Sequence, residues 1–195
     1  MTTTEPEVDG RGLRGRRNRE AIVDALLQLY SDGQLRPTAA VVAEAAGLST
    51  RSVYHHFDDM KSLILEVSAR SEDRWKAVTE PPSRELPIDA RLKAFAKHRA
   101  TRWSIAADVI QAGLVAEQSS KTVARLMQDG RRSDRAEVAD LFDDVISTAV
   151  HPEWVLAALD VAFDFATWSH LRHWSDVDDE TVEKIVVALA GAAFP

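Results

Sequence analysis

Apolar residues recur along nearly the whole chain at the three- and four-residue spacing that places side chains on one face of an α-helix. No segment shows the apolar–polar alternation that is typical of a half-buried β-strand. The first clear apolar face consists of Ile22, Ala25, Leu26, Leu29 and Tyr30. It stops before Gly33, a residue type that commonly terminates helices. The pattern therefore predicts an all-α protein.

Three further helices are predicted in the next part of the chain. Thr38 can cap the second helix, and Gly47 can end it in a left-handed conformation. Ser49 can cap the third helix, which runs to about Phe57. A fourth helix follows and stops before Pro81, because proline cannot continue a helix.

The rest of the chain also reads as helical, after the single internal boundary PPSRELP. Helices are predicted near residues 88–102, 105–117, 119–148, 153–174 and 179–192, with a kink at Gly130. The predicted organisation is a three-helix helix-turn-helix domain followed by a larger helical ligand-binding and dimerisation domain. Its predicted parts are a flexible basic arm (1–16), the helix-turn-helix (17–60) and the regulatory and dimerisation domain (61–195).

The short third helix is the main candidate for function. Leu48 and Val53 would turn into the small core, which leaves polar side chains on the outer face. These outer residues are Ser49, Thr50, Arg51, Ser52, Tyr54, His55 and His56. In a helix-turn-helix the second helix enters the major groove of DNA and presents such side chains to base edges and phosphates.

Arg51 is the candidate for a bidentate contact with guanine. Thr38 starts the first helix of the pair, where a backbone N–H can bind phosphate. The alternative is a solvated surface helix, since helix-turn-helix geometry also occurs in proteins that do not bind DNA.

The distribution of charge supports DNA binding by the N-terminal part. The whole chain has a net charge of −7, but residues 11–61 contain eight Lys and Arg against six Asp and Glu. The stretch RGLRGRR includes Arg16 and Arg17 and no acid, as a phosphate-seeking arm would. Such a run also suits a plain solubilising tail.

Other functional classes lack support. The chain has no cysteine, which excludes disulfides, cysteine metal ligands and thiol nucleophiles. The N-terminus is not a signal peptide, and no apolar run is long enough to span a bilayer, so we expect a cytoplasmic protein. No phosphate-binding glycine loop, nucleophile elbow or dinucleotide fingerprint occurs. We predict a protein that is not an enzyme and has no cofactor or metal.

The predicted helix over 153–174 is apolar on more than one face, so other helices must pack against all of its sides. A second copy of the chain is the expected cover, so that the last two helices of each subunit form a four-helix interface in a homodimer. A purely intramolecular core is the alternative.

Two acids, Asp160 and Asp164, lie one turn apart in this apolar segment. They could face solvent, pair with Arg99 or Arg102, or line a cavity. If they line a cavity, the candidate ligand-binding residues are Trp103, Phe142, Asp160, Phe163, Asp164 and Trp168.

Residues 17–66 resemble the DNA-binding domain of the TetR family of transcriptional regulators. The resemblance rests on Thr38, the turn AEAAGLS, the stretch VYHHF and the KSLI start of the fourth helix. The family commonly has a phosphate-contacting lysine three residues after the phenylalanine. Here that position is Met60, and Lys61 follows it. Asp58 and Asp59 read as caps of the fourth helix.

The resemblance implies a homodimer whose third helices enter successive major grooves of a palindromic double-stranded DNA operator. It also implies repression that a small-molecule effector relieves, with Lys61 as a substitute phosphate contact. The alternative function is a helical adaptor or small-molecule-binding protein that does not bind DNA.

Overall fold

The chain forms ten α-helices and no β-strand within residues 10–175 and 177–194, the parts that the computed structural model describes. They are α1 (Gly10–Ser31), α2 (Ala39–Ala45), α3 (Thr50–His56), α4 (Met60–Lys76), α5 (Ile88–Glu117), α6 (Lys121–Leu141), α7 (Asp143–Ile146), α8 (Pro152–Ala162), α9 (Phe165–Trp174) and α10 (Asp179–Gly191). The all-α prediction is confirmed. None of these helices combines the length and the apolar character needed to cross a membrane.

Local capping chemistry determines the boundaries of the first helices. Thr38 Oγ1 accepts a hydrogen bond from Val41 N (3.4 Å), and Ser49 Oγ accepts one from Ser52 N (3.1 Å). Gly47, which joins α2 to α3, has a φ of 67°, a conformation that favours glycine. The predicted caps and the predicted turn are confirmed.

The start of α4 is held by a capping box. Asp59 Oδ1 accepts a hydrogen bond from Ser62 N (2.8 Å), and Ser62 Oγ accepts one from Asp59 N (3.3 Å). These reciprocal bonds satisfy two backbone donors that the first turn of a helix leaves free. The expectation that Asp59 caps the fourth helix is confirmed.

A first hydrophobic core joins α1 to α4. It contains the apolar face of α1 together with Val42, Val53, Phe57, Leu63 and Val67. Ala112 of α5 is also buried in this core, and Arg36 Nη2 donates a hydrogen bond to Val115 O near the end of α5 (3.0 Å). Helix α5 therefore connects the first core to the remainder of the protein.

A second core lies between α5, α6, α8, α9 and α10. Phe95 is fully buried at its centre and meets Phe163 edge-on, with ring centroids 4.8 Å apart. Helix α5 runs unbroken through both cores, so the predicted division near residue 103 is wrong. Helix α6 likewise continues through Gly130, where we expected a kink, and ends at Leu141.

The predicted helix over 153–174 is broken between α8 and α9. Asp164 caps α9 by accepting a hydrogen bond from Ala166 N (2.7 Å). Thr167 Oγ1 donates to Val161 O (2.5 Å), and Trp103 Nε1 donates to Phe163 O (3.3 Å). The Thr167 and Trp103 side chains thus donate to carbonyl oxygens that would accept backbone hydrogen bonds in a continuous helix.

The N-terminal basic segment is partly helical. Of the predicted flexible arm, residues 1–9 lie outside the described residues, while residues 10–16 form the first turns of α1. The structure thus corrects the arm prediction for residues 10–16.

Candidate nucleic-acid interface and internal cavity

Helix α3 is anchored from one side only. Val53 and Phe57 are 2% and 3% exposed and belong to the first core. The predicted outer residues are exposed or half-buried, and Tyr54 is 52% exposed. They are Ser49, Thr50, Arg51, Ser52, Tyr54, His55 and His56. The helix therefore presents a continuous polar surface to solvent.

The other predicted contact residues lie on neighbouring elements. Thr38 is exposed at the start of α2, and Lys61 is exposed in the first turn of α4. Arg16 and Arg17 are exposed on α1. Met60, at the position where a phosphate-contacting lysine was expected, is half-buried against the first core.

Arg19 ties the end of α3 to two other helices. Its Nη1 donates a hydrogen bond to His56 O (2.7 Å), and its Nη2 donates one to Glu66 Oε2 on α4 (3.0 Å). Its guanidinium also lies over the Phe57 ring, 4.2 Å from the centroid. A cation at this place complements the negative C-terminal end of α3. The sequence pattern did not single out Arg19 from the neighbouring arginines.

The two histidines at the end of α3 have adjacent rings, with centroids 5.2 Å apart. Burial, the proximity of His55 and the charge of Arg19 lower the pKa of His56 below its ordinary value. At neutral pH the His56 imidazole is therefore uncharged, so that one ring nitrogen donates a hydrogen bond and the other accepts one.

A cavity of about 1080 Å³ opens between α4, α5 and α6, with the start of α9 at one side. Ser68, Ser71 and Trp75 line it from α4, and Thr79 lines it just after that helix. The lining residues of α5 are Arg102, Trp103, Ala106, Val109, Ile110 and Leu114, and those of α6 include Leu126, Met127, Asp134 and Glu137. The volume is at the upper end of the range for small-molecule sites.

Arg102, Asp134 and Glu137 line one side of this cavity, and the last two contact the buried Arg99. Arg99 is 2% exposed, and its guanidinium contacts Asp134 Oδ1 (3.0 Å) and Glu137 Oε2 (2.9 Å). Arg102 also bonds Asp134. Burial raises the pKa of Glu137, but the hydrogen bond from His98 and the charge of Arg99 outweigh it and hold that pKa below its ordinary value.

Residues 22–67, which run from α1 to the middle of α4, match the family model described as bacterial regulatory proteins of the tetR family. Over this segment the chain is similar to the TetR family.

A named transcriptional repressor is similar to part of this chain. The HTH-type transcriptional repressor KstR2 of Rhodococcus jostii (strain RHA1) is 36% identical over 66 residues. The matched region is 33% of this chain and 31% of KstR2. The chain thus matches about a third of the length of that repressor.

Solved structures resemble the fold over nearly the whole length. A transcriptional regulator from Rhodococcus sp. Rha1 superposes with a TM-score of 0.67 at 18% identity, covering 92% of this chain and 95% of that one. The multidrug binding protein EbrR, complexed with imidazole, gives a TM-score of 0.60 at 16% identity, covering 89% and 92%. At these identities the likeness shows the fold alone.

The residues predicted for ligand binding are divided between different environments. Trp103 and Asp164 lie on the cavity wall. Asp160 instead bonds Arg135 (2.7 Å), so neither acid pairs with Arg99 or Arg102. The other three, Phe142, Phe163 and Trp168, are buried in the second core.

Sequence reasoning missed the contributions of α4 and α6 to the cavity. On α4 and just after it, the lining residues Ser68, Ser71, Trp75 and Thr79 recur every three or four residues, which is a detectable signal. That stripe mixes serine, tryptophan and threonine, so it does not stand out as an apolar face. Only the packing of α4 against α5 and α6 shows that it surrounds a cavity.

Proposed function

We propose that this chain is a homodimeric, sequence-specific DNA-binding transcriptional repressor that a small-molecule effector releases from a palindromic operator. The observation that carries the proposal is the solvent-facing polar surface of α3, fixed between a left-handed Gly47 and the buried Phe57. The match of residues 22–67 to the tetR-family model supports it.

In this proposal α3 enters the major groove. Arg51 contacts a guanine, and Ser49, Thr50, Ser52, Tyr54, His55 and His56 contact base edges or phosphates. Arg16, Arg17, Thr38 and Lys61 contact the phosphate backbone. The exposure of these side chains supports the assignment.

The dimer interface is proposed on α8 and α10, which both contain exposed apolar residues. Trp154 and Val161 of α8 are 66% and 65% exposed, and Leu189 of α10 is 49% exposed. Trp154, Ala158 and Val161 lie on one face at helical spacing. Because α8 packs beside α10, the same patch on a second copy would bury both faces in a two-fold arrangement.

The cavity is the proposed effector site, and α4 is the proposed route of coupling. Leu63 and Val67 of α4 pack in the first core, whereas Ser71 and Trp75 lie on the cavity wall one to two turns further along. A ligand that fits the cavity better at one position of α4 would favour one separation of the two α3 helices.

Selection of operator sites from random duplex DNA tests the proposal. The wild-type chain is expected to enrich a palindrome whose half-sites lie one helical turn apart. Arg51→Ala should lose about 10-fold or more in affinity and relax the preference at one base pair of each half-site. Arg125→Ala, an exposed arginine on α6, is the matched control and should behave as wild type.

The salt dependence of binding separates this function from that of an adaptor. An operator-binding dimer must lose affinity steeply as salt rises, because bound counterions are released from the phosphates. If selection enriches no palindrome and the affinity for DNA is negligible at low salt, the adaptor function replaces the repressor function.

A further inference from the structure

The cavity has two chemically different ends. Trp75, Arg102 and Asp134 lie at the end far from the first core, where Thr79 Oγ1 is 3.1 Å from His98 Nδ1. The other end is lined by apolar side chains, and Val109 packs against the first core. A ligand that fills the cavity therefore meets mostly apolar surface at one end and charged groups at the other.

The positively charged groups on the cavity wall are already paired with carboxylates. Each positively charged side chain on the described part of the wall contacts a carboxylate, namely Lys76 with Glu72 (2.5 Å), Arg131 with Glu117 (2.9 Å) and Arg102 with Asp134. An anionic ligand would thus have to displace a carboxylate from its partner. Burial of a charge without a partner is strongly unfavourable.

A cationic ligand meets the corresponding obstacle. The aromatic faces that would attract it are occupied by Arg102, whose guanidinium lies 4.7 Å from the Trp75 centroid and 4.5 Å from the Trp103 centroid. The wall carboxylate Asp164 is engaged as the cap of α9. Glu80, also on the wall, is exposed to solvent, where a contact with a cation contributes little.

One polar group on the wall is neutral and has no partner. Ser71 is 4% exposed, and its Oγ makes no hydrogen bond among the described residues. By contrast, Ser68, one turn earlier on the same face, donates its hydroxyl proton to Ile64 O (2.9 Å). An unsatisfied buried hydroxyl is unfavourable, and a ligand oxygen can satisfy it after rotation between staggered rotamers.

We infer that the cavity binds an uncharged, predominantly apolar molecule whose hydroxyl or carbonyl oxygen forms a hydrogen bond with Ser71. The inference rests on the proposed function only in assigning that molecule the role of effector. The apolar body fills the end near Val109, and the ion pairs at the other end stay intact. Because Ser71 is on α4, the hydrogen bond acts directly on the helix that continues into the first core.

Calorimetric titration of the full chain without DNA tests the charge preference with three ligands of matched chain length: 1-decanol, decanoate and decyltrimethylammonium, all below their micellar concentrations. Decanol should bind most tightly, and each ion should bind at least about 10-fold more weakly. Tighter binding of either ion overturns the inference.

Ile110→Trp, which fills the apolar end, should abolish decanol binding. Undiminished binding by that variant would place the ligand elsewhere.

A pair of serine variants tests the hydrogen bond. Ser71→Ala should weaken decanol binding by about five-fold, while its melting temperature stays equal to or above that of the wild type, because an unsatisfied hydroxyl is removed. Ser104→Ala is the matched control: Ser104 is exposed on α5 outside the cavity lining, its hydroxyl donates to Thr101 O (2.9 Å), and its removal should leave decanol affinity unchanged. Equal effects of the two substitutions would overturn the role of Ser71.

Operator binding is measured separately with decanol present. If decanol binds in the cavity but operator affinity is unchanged, the ligand class is confirmed and the proposed effector role is contradicted. Absence of operator binding altogether would contradict the proposed function and leave the titration result standing.

Discussion

At the scale of single residues, Arg19 differs from the other arginines of the N-terminal basic stretch. Its guanidinium already bonds the His56 carbonyl and the Glu66 carboxylate and lies over Phe57. Arg16 and Arg17 are exposed and have no such contacts among the described residues. Arg19 is therefore expected to orient α3, whereas Arg16 and Arg17 remain available for phosphates.

Substitution of Arg19 should reduce sequence discrimination rather than general DNA affinity. In Arg19→Ala, the loss of charged hydrogen bonds should weaken operator binding by about 1–2 kcal/mol while binding to unrelated DNA changes little. Glu66→Gln should lower the same specificity ratio to a smaller extent. Titrations of both variants on operator and on unrelated DNA, over a range of salt concentrations, measure this ratio.

The salt slope provides the control for this prediction. If Arg19 bound a phosphate instead, Arg19→Ala would weaken binding to both DNAs equally and reduce the slope of log affinity against log salt by about 0.9. That result would contradict the orienting role. Arg17→Ala is expected to show that phosphate-type behaviour and serves as the comparison.

The sequence could predict a residue's role where its bonding partner lies a few positions away in the chain, and not where the partner lies on a distant helix. The caps Thr38 and Ser49 bond backbone atoms three residues away, so local pattern is enough to identify them. Asp160 bonds Arg135, 25 residues away on another helix. No local pattern selects Arg135 over Arg99 or Arg102 as the partner of Asp160. The sequence therefore did not identify this ion pair.

At the scale of helices, buried polar side chains join α5 to α6. Arg99 bonds both Asp134 and Glu137, and the His98 ring lies 3.3 Å from Glu137 through Nε2. Arg99 is buried, so its charge relies on these carboxylates for compensation. The contacts hold α6 in register beside α5 along the cavity wall.

This link predicts how stability depends on pH. The folded-state pKa of Glu137 lies below its ordinary value of 4.5, because His98 and Arg99 favour the ionised form. A carboxyl group with a lowered pKa contributes stability above its unfolded-state pKa, and this contribution is lost as pH falls through the folded-state pKa. Glu137→Gln should therefore be less stable than wild type at pH 7 by about 1–3 kcal/mol.

Denaturant unfolding followed between pH 7 and pH 3 measures the effect. The difference between wild type and Glu137→Gln should shrink as pH falls below 4.5, the ordinary pKa of Glu137. Glu85→Gln, at an exposed position before α5, should match wild type throughout. A difference that stays constant down to pH 3 would show that the Glu137 carboxylate does not stabilise through its charge.

Helix ends could be predicted where a glycine, a proline or a capping residue acts on its own. The break between α8 and α9 escaped prediction because Trp103, on another helix, provides one of the hydrogen bonds that compensate for it. Conversely, Gly130 led us to expect a kink, but it lies in open space and α6 continues through it. A single glycine weakens a helix by only about 1 kcal/mol, which packing on both sides can offset.

At the scale of the whole molecule, α5 links the two cores and the cavity. Ala112 packs in the first core, Phe95 packs in the second, and Ala106 lies between them on the cavity wall. The sequence predicted both the helix-turn-helix and the helical body. The cavity could not be located in this way, because it depends on how α4, α5 and α6 pack against each other, and these helices share no motif.

The proposed dimer predicts that one charged substitution on α8 separates the subunits. Val161→Glu would place a carboxylate within the apolar patch, where it has no partner and must remain hydrated. Sedimentation should show a monomer with an unchanged helical circular dichroism spectrum. Operator affinity should fall by about 100-fold or more, since the two half-sites are no longer bound by linked domains.

Val78→Glu is the matched control for this substitution. Val78 is 63% exposed, against 65% for Val161, but it lies just after α4 and outside the α8–α10 patch. It should remain dimeric and bind operator as wild type does. A Val161→Glu protein that still sediments as a dimer would exclude α8 from the interface. Dissociation of both variants would instead show that added charge, rather than its position on α8, separates the subunits.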